Sequence, residues 1–338
     1  MKDQRDGLVD RFVKCLLSVL SFFYGLGVRC VDQTYGSGLR KQHKVGAPVI
    51  SVGNITLGGT GKTPFTIFLA DLFVGRQKNP AILTRGYGRD ESRMLEDELP
   101  DVKVLVGQDR VRNARWAVGQ GKDVLILDDG FQHRRIARDL NILMVDGVSM
   151  FGNGCLFPRG ILREPLSSLR RSDIIVLTKT DRIGDERKRE VITELRSLAP
   201  GKPVILTRHR PYFLTDVTGA AYMAESIRGE KVILVSGIVD PDYFEFLTRG
   251  LGAEVVARLD NPDHHRYSRR DIEEMRSRCY KERADKIITT RKDFVKIKDL
   301  DISSIEDKLF VLDIVVEIVE GKENLLAGLD SIDIRQSV

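Results

Sequence analysis

Cysteine is scarce in this chain, histidine scarcely less so, and no apolar run is long enough for a comfortable membrane span. The four cysteines, Cys15, Cys30, Cys155 and Cys279, lie far apart with no CxxC spacing. That excludes a disulfide-stapled scaffold and a zinc framework, and it points to a reduced, cytoplasmic chain. Among five histidines only His264 and His265 adjoin. An RNP-like aromatic motif and a helix-turn-helix pattern are also missing, which removes the usual nucleic-acid modules. The longest apolar stretch, residues 12–28, falls short of the roughly 20 residues a spanning helix needs. It follows Asp3, Asp6 and Asp10 and ends on no small-x-small site, so it does not read as a secretory signal.

What is present is an ordinary globular composition, 42% hydrophobic and 30% charged over 338 residues, with a net charge of +5. Residues 12–28 drawn as a helix put Phe12, Leu16, Val19, Leu20, Phe23 and Leu26 on one face. Arg11, Lys14, Ser18, Ser21 and Gly25 fall on the other. With Arg40, Lys41 and Lys44 following, this is the pattern of an amphipathic helix lying in a membrane interface. The competing expectation is a helix packed on the body of the protein.

Beyond it the chain alternates strands and helices, the sign of a mostly parallel α/β sheet. Strands are expected at 48–52, 81–84, 103–106, 124–127, 142–145 and 174–178, with helices at 62–74, 109–119 and 185–198. A second, smaller α/β series begins near Lys231 and runs through a helix at 241–250, a strand at 253–258 and a helix at 269–282. Strands at 286–290 and 309–318 close it. Pro203, Pro211 and Gly219 break the periodicity between 200 and 230. The expected division is an N-terminal helix with a basic linker (1–44), a core (45–215) and a C-terminal lobe (216–338).

The strand PVISV leads into GNITLGGTGKTP, whose Thr56, Leu57, Gly58, Gly59, Thr60, Gly61, Lys62 and Thr63 read as a phosphate-binding loop. Glycines let backbone N–H groups face the phosphates, and the helix N-terminus adds partial positive charge. Lys62 reaches the β/γ oxygens and the Thr63 hydroxyl ligates Mg²⁺. Thr56 stands where the full pattern has glycine. Such loops work with an acidic partner at a strand end. Asp128 and Asp129 in VLILDDG are favoured over Asp146 in ILMVDG, because two adjacent carboxylates give a cation more ligand charge.

These motifs resemble the tetraacyldisaccharide 4′-kinase (lipid A 4′-kinase) family. The resemblance rests on TLGGTGKTP, LTRGYGR (83–89), VGQDR (106–110), DDGFQHRR (128–135) and FGNGCLFPRGILREPLSSLRRSD (151–173). SGIVDP (236–241), NPDHHRY (261–267) and TTRKD (289–293) complete it in the family's order, over residues 45–295. It implies an ATP- and Mg²⁺-dependent transfer of phosphate to the 4′-hydroxyl of a tetraacyl disaccharide 1-phosphate, forming lipid IVA. The site would lie at the cytoplasmic face of the bacterial inner membrane, against an anionic surface, with a lipid partner and neither a nucleic-acid nor a protein partner. The family's proton acceptor aligns with Asp90 through GRDESRMLEDELPDVKVLVG, whose intervening loop is shorter than usual; Asp97 is the competing placement. His264 would orient Asp90, and Arg85, Arg110, Arg135 and Arg163 are candidates for binding phosphate. Arg291 replaces the family's common glutamate.

On pattern alone His264 and His265 are also possible metal ligands. The rival class is a P-loop GTPase or metallochaperone-type switch, suggested by Thr178-Lys179-Thr180-Asp181 after the strand IIVL, close to a guanine-reading element.

Overall fold

The structure is a computed structural model that describes residues 7–86 and 89–334. From the N-terminus the elements are α1 (Leu8–Gly36), β1 (Val49–Gly53), α2 (Lys62–Gly75), β2 (Pro80–Thr84) and α3 (Arg89–Glu98). Then come β3 (Lys103–Val106), α4 (Arg110–Gly119), β4 (Val124–Leu127), β5 (Leu140–Asp146) and β6 (Ile174–Thr178). α5 (Asp185–Leu198), β7 (Val204–Asp216), β8 (Ala221–Met223), β9 (Lys231–Ser236), α6 (Pro241–Gly250) and β10 (Glu254–Asp260) follow. The chain ends with α7 (Arg269–Glu282), β11 (Lys286–Thr290), α8 (Arg291–Ile297), β12 (Leu309–Glu320) and α9 (Lys322–Ile334).

Two compact units emerge from these elements. The first takes residues up to Arg85, then Asp101–Arg208 and the segment from Ile318; the second takes Gly86–Pro100 and His209–Glu317. In the first, the order is β7-β6-β5-β1-β4-β2-β3 and every pairing is parallel. β1, β2, β4 and β6 are buried along their whole length, which is why they read as unbroken apolar runs rather than alternating ones. The second unit has the order β10-β9-β11-β12-β7, parallel through β9, β10, β11 and β12, with the short β8 antiparallel on β7.

Three stretches differ from the sequence reading. Residues 200–230 do not simply break. β7 extends for 13 residues, with Pro211 between the part that pairs with β6 and the part that pairs with β8. The stretch read as a shortened loop contains α3, whose Ser92 and Leu95 are buried at helical spacing, as is Leu99 just past its end. Finally, α1 is 29 residues long, longer than the expected 12–28 and apolar enough by length and composition to cross a membrane.

The two-faced character of α1 is present, but it docks by its polar side. The Ser21 hydroxyl donates to Leu156 O at 2.8 Å and Tyr24 donates to Arg163 O at 2.9 Å. Gly25 is buried, with room for no Cβ, which would stand 2.7 Å from Leu156 Cδ1, and Asp32 pairs with Arg134 and Arg171. Phe12, Leu16, Val19, Leu20, Phe23 and Leu26 remain exposed.

Gly53, the last residue of β1, has no room for a side chain: a Cβ would lie 2.6 Å from the backbone nitrogen of Phe131. Backbone cannot step aside as a flexible side chain can, so Gly53→Ala is expected to destabilise by about 1–3 kcal/mol. Gly75 at the end of α2 meets nothing within 4 Å, and Gly75→Ala is expected to be neutral or stabilising by up to about 1 kcal/mol. Urea unfolding of the two variants checks the pair; equal midpoints would contradict it.

Candidate active site

In the first unit β1 ends against the loop that enters α2. Gly58 and Gly61 adopt positive φ, 116° and 78°, and Gly61 is the N-cap, so the turn needs residues free of a Cβ. Asn54, fully buried just after β1, donates its amide to Thr60 Oγ1 at 3.0 Å and fixes the loop from inside. Leu57 N donates to Ile161 O and Arg163 N to Ile55 O, each at 2.7 Å, tying the loop to the stretch before Pro165. Thr56 and Thr60 are buried, Leu57, Gly58 and Gly59 are exposed, and Lys62 and Thr63 open α2 half-buried.

The acidic pair sits where β4 ends. Asp128 is buried and accepts from Thr66 Oγ1 at 3.1 Å. Thr66 is one helical turn after Thr63, so this carboxylate lies along the same face of α2. Asp129 turns the chain with φ 47°. Arg163 Nη1 lies 3.1 Å from its Oδ1, Lys62 Nζ is 3.8 Å away, and Arg110 Nη1 donates to its carbonyl at 3.1 Å. Burial alone would raise the Asp129 carboxyl, but Lys62, Arg163 and Arg110 together hold it below the usual carboxylate range. Asp146, the alternative acid, is buried in an ion pair with Lys179 at 2.5 Å.

Of the four arginine candidates, Arg110 and Arg163 therefore face Asp129, while Arg85 and Arg135 are exposed and Arg135 lies 3.9 Å from Asp109. Sequence reading had missed the supports. Gln132 donates to Asn54 O at 2.8 Å and to Glu164 Oε1 at 3.0 Å, and Arg171 donates to Glu164 Oε2 at 2.6 Å. The Arg171 guanidinium also covers the Phe131 ring at 4.7 Å. DDGFQHRR and LREPLSSLRR thus form one scaffold behind the loop. In it, burial first and then the Arg110, Arg138 and Arg135 charges push the His133 imidazole down to about 4, which keeps it neutral at physiological pH.

Would a divalent cation fit? Among the described residues no group of three or more His, Cys, Asp or Glu is arranged to hold one. The donors at hand are all hard oxygens, the Thr63 hydroxyl and the two adjacent carboxylates. That set suits Mg²⁺, which takes one or two protein ligands and completes its shell with phosphate oxygens and water.

The second unit brings Asp90 and His264 together. Asp90 lies in the first turn of α3, where its charge complements the helix dipole, and only 5% of it is exposed. His264 Nδ1 approaches Asp90 Oδ2 at 2.9 Å and Oδ1 at 3.0 Å. His264 holds φ 60°, an uncommon conformation for a side-chain-bearing residue, and its Nε2 lies 3.4 Å from Asp263. His265 turns elsewhere, to Asp271 at 3.0 Å, so the adjacent histidines do not converge as a ligand pair. Asp97 is in the last turn of α3, paired with Lys298. On α8, Lys296 lies 3.5 Å from Asp90 and 3.0 Å from Asp293, and Lys292 pairs with Glu91; of these, only Lys292 and Asp293 fall within the motif TTRKD.

The model of the Tetraacyldisaccharide-1-P 4′-kinase family matches residues 13–94 and 90–332 of this chain. A tetraacyldisaccharide 4′-kinase of Anaeromyxobacter sp. (strain Fw109-5) is 37% identical, across 94% of this chain and 91% of that one. One of Syntrophus aciditrophicus is also 37% identical, with 85% of each covered. Among solved structures, LpxK from Aquifex aeolicus in complex with ATP superposes with a TM-score of 0.75 at 30% identity. It covers 95% of this chain and 99% of that one. These likenesses overturn the GTPase alternative, and the geometry supplies a reason: Lys179 is committed to Asp146 in a buried pair, and the Thr178 hydroxyl lies 3.3 Å from Thr60 O. The Thr178–Asp181 stretch braces the phosphate loop from behind, and the chain belongs to the tetraacyldisaccharide-1-P 4′-kinase family.

Proposed function

We infer that this chain transfers the γ-phosphate of ATP to the 4′-hydroxyl of a tetraacyl disaccharide 1-phosphate, forming lipid IVA, with Asp90 as proton acceptor. The observation that carries the assignment of roles is the contact between Asp90 and His264, 174 positions apart in the chain. The expected core at 45–215 and lobe at 216–338 give way to the two units: the first serves as the nucleotide-binding core, the second, which takes in residues 86–100 with Asp90, as the lobe carrying His264, and residues 1–44 as the membrane-interface segment.

Residues 56–63 cradle the phosphates with backbone N–H groups, and Lys62 neutralises the β/γ oxygens. Mg²⁺, held by Thr63 with Asp128 or Asp129, supplies charge neutralisation on the phosphate oxygens when bound. The 4′-hydroxyl oxygen forms a bond to the γ-phosphorus as the bond from that phosphorus to the bridging oxygen breaks, and ADP leaves with the electron pair. The hydroxyl proton passes to Asp90. His264, whose Nδ1 lies within hydrogen-bond distance of both Asp90 oxygens, holds the carboxylate in place for that transfer. Arg110 and Arg163 hold Asp129, which leaves the exposed Arg85 and Arg135 to meet the substrate's existing 1-phosphate.

The reaction is followed as ³²P passing from γ-labelled ATP to the lipid disaccharide, against release of free phosphate. Lys62→Ala is expected to lower kcat by about a thousandfold or more with the fold intact. Asp90→Ala and His264→Ala should each lower kcat by about a hundredfold or more while the KM for ATP stays nearly constant. Their double variant should be little worse than the poorer single one, because the two share one task. Asp97→Ala should be nearly silent. Severe loss in Asp97→Ala with near-normal Asp90→Ala would reverse the assignment, and phosphate release without lipid labelling would refute the kinase reading.

The lipid acceptor places the reaction at a membrane, on this reading the cytoplasmic face of the bacterial inner membrane, with a peripheral or monotopic attachment. Support comes from the apolar face of α1, which stays exposed among the described residues, and from the exposed Arg40, Lys41 and Lys44. Each apolar side chain removed from water contributes about 1.5–3 kcal/mol, and each cation near an anionic surface about 1 kcal/mol. Leu16→Asp with Phe23→Asp leaves the Ser21 and Tyr24 contacts in place and should release the protein from anionic vesicles on sedimentation. Undiminished pelleting would assign the attachment elsewhere.

A further inference from the structure

Beside Asp90 stands a lysine that the reaction as written does not use. Asp293, three residues into α8, is completely buried. Its Oδ2 accepts from Gly237 N at 3.0 Å and from Thr290 Oγ1 at 2.7 Å, which fixes it to the ends of β9 and β11. One turn on, the Lys296 ammonium lies 3.0 Å from Asp293 Oδ1 and 3.5 Å from Asp90 Oδ2, over the face of the Tyr267 ring at 5.3 Å. Only 14% of the lysine side chain and 4% of the Asp90 side chain are exposed. Withdrawing an ammonium and two carboxylates from water is costly, and an apolar side chain of similar size would fill the space at less expense. Stability alone does not account for the arrangement.

Orientation does. A carboxylate on a short helix rotates freely about its terminal bond unless both sides are held. His264 Nδ1 lies against both Asp90 oxygens, the Glu91 backbone N–H donates to Oδ1 at 3.1 Å, and Lys296, itself anchored by Asp293, attracts Oδ2. We propose that Lys296 is a positioning residue, which together with His264 sets the orientation of the Asp90 carboxylate for the incoming hydroxyl. Lys292, one turn earlier on the same helix, makes ion pairs with Glu91 at 3.4 Å and Asp263 at 2.9 Å instead.

The proposal rests on Asp90 being the proton acceptor, and its test separates the two. In the full-length protein, Lys296→Met is expected to lower kcat by about 30- to 100-fold while the KM for ATP moves less than about twofold, since orientation of the acceptor matters mainly in the transition state. Lys296→Arg keeps the charge and should stay within about fivefold of the parent. Lys296→Gln, which preserves a polar end, is read alongside in case the methionine variant folds poorly, with melting temperatures recorded for all. In an Asp90→Ala background, Lys296→Met should add no further loss. The proposal is overturned if Lys296→Met and Lys296→Gln retain kcat within about twofold, or if the loss is as large without Asp90 as with it. Failure of arginine to restore a well-folded variant would overturn it too. Near-parental turnover by Asp90→Ala alone would instead overturn the proton-acceptor assignment beneath it, a result that involves no lysine variant.

Discussion

The grip of α8 on α3 is the constraint on which the Asp90 site depends. α3 is almost wholly acidic and polar, RDESRMLEDE, and α8 with its flank is basic. Between them run ion pairs from Arg93 to Asp299, Lys298 to Asp97, Arg291 to Glu98, Lys292 to Glu91 and Lys296 to Asp90. The first two are well exposed and contribute about 0–1 kcal/mol each. Burial of Leu95 and Leu99 contributes more, roughly 1.5–3 kcal/mol per side chain. The leucines therefore hold the helix down, while the charges set its rotation and register and thereby the direction in which Asp90 points.

The first unit solves a related problem with the opposite sign. Lys62, Arg110 and Arg163 are three cations crowded near a loop built to receive anions, and Asp129 balances them from a reversed turn at the end of β4. Phosphates entering such a loop meet donors and charges already in place, so little reorganisation is needed on binding. Behind it, Gln132, Glu164 and Arg171 join the segments on either side into one rigid support. Thr178 braces the loop from β6.

Much of this was legible in the sequence, and the failures have physical causes. The buried strands of the first unit stand out because parallel strands covered on both faces are continuous apolar runs, and the phosphate loop stands out because glycine is required at Gly58 and Gly61. α3 was not legible as a helix, since only Leu95 and Leu99 mark its apolar face and its partner α8 lies some two hundred residues away. Pro211 suggested a break, yet it lies inside a strand. The amphipathic pattern of α1 identified two faces but not which one docks, because a polar face with a buried serine and glycine can pack as closely as an apolar one. Asp90 and His264 came into view only through the family resemblance. Lys296 did not, because a lone lysine on a helix looks like a solvated one until Asp293 is seen behind it.

The most direct test of the central constraint is amide hydrogen exchange along α3 in the parent and in Arg291→Glu. Arg291 joins Glu98 at 2.8 Å and Asp313 at 2.6 Å, so the substitution would set three carboxylates against one another. Exchange in α3 should rise by about tenfold or more, equivalent to roughly 1.4 kcal/mol of lost local stability, while β1 and α2 keep their protection. Unchanged protection of α3 in a folded Arg291→Glu variant would contradict the view that α8 dictates where Asp90 points.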